Sequence, residues 1–163
     1  MAYYDALKTQ WATLTGTTAQ KLAAINAMTV AGPNVDVPAH AIVGKMMLAG
    51  AYLPLSAFAQ TATNGNATHD NALTAAKIFM AVVSTPNAPS FAMSDPESYT
   101  LIKGMMDAIL AYELTPASPS TGFTQAVHDA LLGLCETTVP CWKANGYTSS
   151  FGYPDLDAAG GLT

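Results

Sequence analysis

Apolar residues recur along this chain at helical spacing, and alternating runs of β-branched residues are absent, which predicts an all-α fold. Leu7, Trp11 and Leu14 define a first amphipathic helix from about Tyr3 to Leu14, ended by Thr15-Gly16. Thr17-Thr18-Ala19-Gln20 fits a capping box, in which the Thr17 hydroxyl accepts from the Gln20 amide and the Gln20 side chain reaches back. The second helix carries Leu22 and Ile25 inward and runs to about Met28. Residues 29–38 contain Gly32-Pro33 and Val37-Pro38, and a residue before proline is pushed toward extended backbone, so this stretch is non-helical. Asp36 is the natural N-cap of the next helix.

Val43, Met46 and Met47 share one face of a third helix that stops near Gly50. Pro54, at a first-turn position, starts a fourth carrying Leu55 and Phe58, and the pair forms a helical hairpin. Asn64-Gly65-Asn66 is a loop tip, and Leu73, Ala76, Met80 and Val83 define a fifth helix ending before Pro86. Thr85 to Ser94 is a connection without periodicity. Ser94-Asp95-Pro96-Glu97 then combines an N-cap, a first-turn proline and acids facing the helix dipole. Leu101, Met105, Ile109 and Tyr112 make the stripe of this sixth helix. Thr115 to Ser120 is a linker, and Phe123, Val127, Leu131 and Leu134 belong to a seventh helix. Residues 146–163 are Gly- and aromatic-rich, contain Pro154, and have room for one helical turn at Asp155–Ala159. The expectation is a compact bundle of about six to seven short helices over residues 1–145, followed by an extended C-terminal arm over 146–163.

Composition sharpens this picture. The chain has 163 residues with 6 Lys+Arg against 11 Asp+Glu, and only 10% of residues are charged, where a soluble domain carries roughly 25%. Mean hydropathy is +0.24 and the pI is near 4.8. The scattered basic residues form no patch for phosphates, which disfavours nucleic acid as a partner. The most apolar stretch, Ala39 to Ala59, is broken by His40, Lys45 and Pro54, so no membrane span is expected. The N-terminal residues lack the pattern of a secretory signal, and a cytoplasmic origin is expected.

Candidate chemistry is sparse. His69-Asp70 and His128-Asp129 resemble the dipeptides of metal sites, but further ligands at matching spacing are missing, and surface or cap roles are expected for these histidines and His40. Cys135 reads as a buried thiol, while a disulfide with Cys141 stays open. Phosphate-cradling and nucleophile-elbow motifs are absent, and no two carboxylates pair for acid–base work. The expectation is a non-enzymatic protein with no metal and no cofactor. Its eight methionines fill core gaps or, in an alternative reading, line a groove between the Ala39–Ala59 hairpin and the sixth helix, which would make the protein a soluble module that binds a partner helix or apolar ligand.

The purposeful residues are the aromatic ends. Tyr3, Tyr4, Trp142, Tyr147, Phe151, Tyr153 and Leu156 are the candidate partner contacts, because burying such charge-poor ends on a neighbour removes apolar area at little polar desolvation cost. The competing expectation is that they fold back on their own domain.

The stretches Leu7-Lys8, Trp11 to Thr18, Gln20 to Ala27 and Thr29-Val30-Ala31-Gly32-Pro33-Asn34-Val35-Asp36-Val37-Pro38, with the ending Trp142 to Gly152, Asp155-Leu156 and Ala158-Ala159-Gly160-Gly161-Leu162, resemble a family of small Ala/Thr-rich virion-associated proteins of tailed bacteriophages and prophages. The resemblance covers both ends and, more loosely, the middle. It implies a structural part of a phage particle. The expectation built on it is a subunit present in several copies, assembled in the host cytoplasm and docked through its terminal arms on other virion proteins and on copies of itself, at a tail tip or fibre, a neck or a capsid surface. It carries over no catalytic residues.

Overall fold

The computed structural model describes residues 4–85, 90–115 and 119–163, and among these the chain is mostly helical. In chain order the elements are α1 (Asp5–Trp11), α2 (Thr18–Ala27), β1 (Thr29–Ala31), α3 (Ala39–Leu48), α4 (Tyr52–Phe58), α5 (Ala67–Val83), α6 (Pro96–Glu113), α7 (Gln125–Leu132), β2 (Thr138–Pro140), α8 (Cys141–Ala144) and α9 (Tyr153–Ala158). They fall into two units. One is built from the residues up to Pro33 together with Thr137–Thr163, the other from Asn34–Glu136.

The first unit is assembled from two separate stretches of the chain. Its second helix starts as the sequence requires: Thr17 Oγ1 accepts from the Gln20 amide at 3.3 Å, and the Thr17 amide donates to Gln20 Oε1 at 2.9 Å. Gly16 adopts φ +115, and a Cβ there would lie 2.7 Å from Gln20 Oε1, so this capping box also demands a glycine before it. The helices are joined to the C-terminal residues by an antiparallel pair of strands in which Val30 faces Val139. This two-stranded sheet corrects the all-α expectation; at three residues a strand is too short for alternation to register in the sequence. Leu7, Trp11 and Ile25 form the core with Tyr147, Phe151, Leu156 and Ala159.

The extended arm is corrected as well. Residues 146–163 include α9, started by the Gly152 amide donating to Asp155 Oδ2 at 2.7 Å, and they close the core over α1 and α2. With few charges on either surface, covering the apolar stripe of Leu7, Trp11 and Ile25 in cis is the favourable arrangement. The 145/146 boundary therefore falls inside a folded unit.

The second unit packs α3 to α7 around Phe58, Phe79 and Phe123, with Leu55, Leu73, Met46, Met106 and Ile109. Asp36 does not cap α3, which starts after Pro38; its carboxylate accepts instead from the Ser94 amide at 3.0 Å and the Ser94 hydroxyl at 2.6 Å. Beside it Val37 and Phe91 exchange backbone hydrogen bonds at 3.0 and 2.8 Å. Pro54 sits in the first turn of α4 as expected. The junction of α3 and α4 bends by 104°, and among the described residues no single helix is long and apolar enough to cross a membrane. α7 is shorter than expected and leaves Phe123 and Leu134 outside it, though Phe123 is fully buried.

Two helices bury only part of the stripe their spacing predicts: Ile109 and Tyr112 of α6 and Met46 of α3 are buried, with Met105 and Val43 packed against the core. The buried stripe of α6 is Ile102, Met106, Ile109 and Leu110, with Tyr112, so Leu101 is exposed and Met105 only half-buried at the edge of the core. In α3, Met46 is buried while Met47 is exposed. Both helices carry apolar residues on more than one face, and spacing alone does not choose between adjacent stripes.

Candidate docking surface

The aromatic ends are mostly occupied within the first unit. Tyr147, Phe151 and Leu156 are buried, with the Tyr147 and Phe151 rings edge-on at 4.5 Å. Tyr4 and Trp142 are half-buried against the same cluster, and the Tyr4 ring lies 6.0 Å from that of Tyr147. Tyr3 lies outside the described residues. Tyr153, on α9, is 56% exposed. The structure thus brings Tyr4, Trp142, Tyr147, Phe151 and Leu156 together as a core, and leaves Tyr153 on the surface.

A broad open apolar surface lies between α5 and α6. Asn66 caps α5 by accepting from the Thr68 and His69 amides, and Asp95 caps α6 by accepting from the Ser98 amide at 2.8 Å. Small residues where the helices meet, Ala75, Gly104 and Ala108, leave a depression of about 480 Å³ between Ile78 and Leu101. A second depression of about 250 Å³ shares Ile78, Leu101 and Met105 and continues to Val82 and Phe91. Ile78 is 50% and Leu101 67% exposed. Among the described residues, no ionisable side chain lines either depression.

Lys103, Asp107 and Glu113 of α6 are engaged elsewhere. Lys103 Nζ lies 2.7 Å from Asp107 Oδ2, and this pairing holds the lysine pKa above its usual value. Asp107 Oδ1 lies 2.9 Å from Nε2 of the buried His128, whose Nδ1 lies 2.9 Å from Asp129 Oδ1. Burial presses the Asp107 pKa up, but hydrogen bonds from Lys103 and His128 outweigh it and hold the carboxyl below the usual range. Glu113 accepts from the Ser120 hydroxyl at 2.6 Å and from the Thr121 amide and hydroxyl, each at 2.7 Å. There too burial is outweighed by hydrogen bonds, and the pKa is lowered.

His69 and His128 are not the surface or cap residues expected from the sequence. His69 is buried edge-on against the stacked rings of Phe58 and Tyr112, at centroid distances of 5.3 and 5.5 Å, with Nδ1 2.8 Å from Asp70 Oδ1. Each His-Asp dipeptide is a local tie between a buried ring and a rim carboxylate. Among the described residues no three His, Cys, Asp or Glu side chains are placed to hold a metal ion. Cys135 and Cys141 are both buried free thiols.

A second apolar exposure marks the α3–α4 corner, where Leu48 is 89%, Leu53 76% and Met47 59% exposed. Two depressions lie away from the groove envisaged between this hairpin and the sixth helix: one at the corner, lined by Met47, Gly50, Tyr52 and Leu53, and a larger one between α5 and α6. Ile78 escaped the sequence reading, although its place off the Leu73–Ala76–Met80–Val83 stripe was a usable signal. No family model, curated protein or solved structure matches the chain.

Proposed function

We propose that this protein is a non-enzymatic structural subunit of a tailed-bacteriophage virion that docks on other virion proteins through the α5–α6 groove. The observation that carries the docking is the uncharged groove itself, with Ile78 and Leu101 half or more exposed on its rims. A solvated pair of helices ordinarily covers its outer face with Lys and Glu, and large exposed apolar patches mark interaction sites. The resemblance to small Ala/Thr-rich virion proteins supplies the particle, at a tail tip or fibre, a neck or a capsid surface.

The test traces the full chain into purified particles of a phage that encodes it. The wild-type chain co-purifies with particles in fixed stoichiometry, while a folded Leu101→Glu, Ile78→Lys double variant is lost from them. Absence of the wild-type chain from particles overturns the reading. The groove's volume also favours a second reading, a soluble module that takes an apolar helix. In that case a helical peptide raises the melting temperature of the isolated protein, and particles contain none of it.

A further inference from the structure

The cover over α1 and α2 is built like a bound peptide. The Asn26 side chain reads one residue of it in both directions: Nδ2 donates to the Phe151 carbonyl at 2.9 Å, and Oδ1 accepts from the Phe151 amide at 2.8 Å. A side-chain amide thereby pairs with both backbone groups of one residue, as a sheet neighbour would. Phe151 and Leu156 are the buried anchors, 5% and 1% exposed. Farther along, the Trp11 indole and the Lys21 ammonium both donate to the Thr163 carbonyl oxygen, at 3.4 and 3.2 Å. The β1–β2 ladder ends at Pro140, before this segment begins, so it can leave without breaking the sheet.

The point of departure is equally defined. Gly146 closes a turn after α8 with φ +85, its amide donating to the Lys143 carbonyl at 3.0 Å, and nothing lies within 4 Å of where its Cβ would be. A tight turn held in the left-handed region is a hinge whose opening relieves strain for any residue other than glycine.

We propose that the α1–α2 face is a receptor for residues 146–163 of a second copy of this chain, so that two copies exchange C-terminal segments about Gly146. The contacts of Asn26, Trp11 and Lys21 with this segment form equally in trans, so exchange alters only the hinge conformation and the cost of association. This inference does not rest on the α5–α6 groove.

Isotopically heavy and light full-length chains, mixed over a concentration series and weighed by native mass spectrometry, test it. Dimers of mixed mass are expected. Gly146→Ala, which strains the closed turn without touching the interface, raises the dimer fraction about fivefold. Asn26→Ala and Phe151→Ala remove the same contact from the closed and the exchanged arrangement, so each lowers the melting temperature but leaves the dimer fraction within about twofold of wild type. Leu101→Glu leaves exchange unchanged. Wild-type chains that stay monomeric throughout overturn the proposal, as do dimers whose yield Gly146→Ala leaves unchanged.

Discussion

His128 Nε2 lies 2.9 Å from Asp107 Oδ1 and thereby ties α7 to α6, while the other ring nitrogen is held by Asp129 from the same helix. The ring is buried and Asp107 is partly open to solvent. Replacing His128 with alanine removes a buried hydrogen-bonding group and leaves a void, so stability falls by about 2–3 kcal/mol. Asp107→Asn keeps the shape and costs less. Urea denaturation of both variants checks this, and a loss below about 0.5 kcal/mol for His128→Ala means the tie is incidental.

Acid weakens the second unit in a defined direction. Asp107, Asp129 and Glu113 all titrate below their usual values: Asp129 through hydrogen bonds from His128 and Gln125, the other two because hydrogen bonds overcome burial. A carboxyl with a lowered folded-state pKa binds its proton more weakly in the native chain than in the unfolded one. Its contribution is present above the unfolded values of roughly 4 and is lost as pH falls through the folded values. Denaturation midpoints therefore change little from these groups between pH 7 and 5 and drop below about pH 4. Asp107→Asn makes the drop shallower; an unchanged acid profile would contradict the role of its hydrogen bonds.

Leu156 is 1% exposed and Tyr153 is 56% exposed on the same short helix. Leu156→Ala is expected to destabilise the first unit by about 2–4 kcal/mol, and Tyr153→Ala by no more than about 0.5 kcal/mol. Thermal melts of the two variants separate a core segment from a detached one. Equal, small effects would mean that residues 146–163 do not hold the unit together.

Neither thiol is open to reagents in the native chain. Cys135 is fully buried, donates to the Leu132 carbonyl at 3.0 Å, and has its pKa raised by burial. Cys141 is enclosed by Gln10, whose Nε2 and Oε1 lie 2.8 and 3.1 Å from Sγ. Iodoacetamide at neutral pH should modify neither thiol in buffer and both in urea, read by mass spectrometry. Rapid labelling of Cys135 in buffer would show that the second unit opens locally.

Helix starts were legible because their chemistry is local: Thr17 with Gln20, and Asp95 with Pro96, each act within four residues. Pairings across the chain were not. Nothing near Val30 announces Val139 as its neighbour, and Asp36 looks like an ordinary cap until Ser94 is seen beside it. The groove was missed for a different reason. Leu101 and Ile102 are adjacent apolar residues, and which of them turns inward is decided by the packing of α5, with Phe79 and Leu73 already on its buried face. The same logic hid the partners of Phe151, since its clamp is an asparagine 125 positions earlier.

The first unit joins residues that a ribosome makes before and after the whole of the second. Residues 34–136 are contiguous and complete their unit as soon as they emerge, whereas α1 and α2 wait for residues 137–163. At elongation speeds of roughly 5–20 residues per second, the faces of Trp11 and Ile25 stay bare for on the order of ten seconds on each nascent chain. On a polysome, that interval is when residues 146–163 of a chain made just ahead meet an uncovered α1–α2 face close behind.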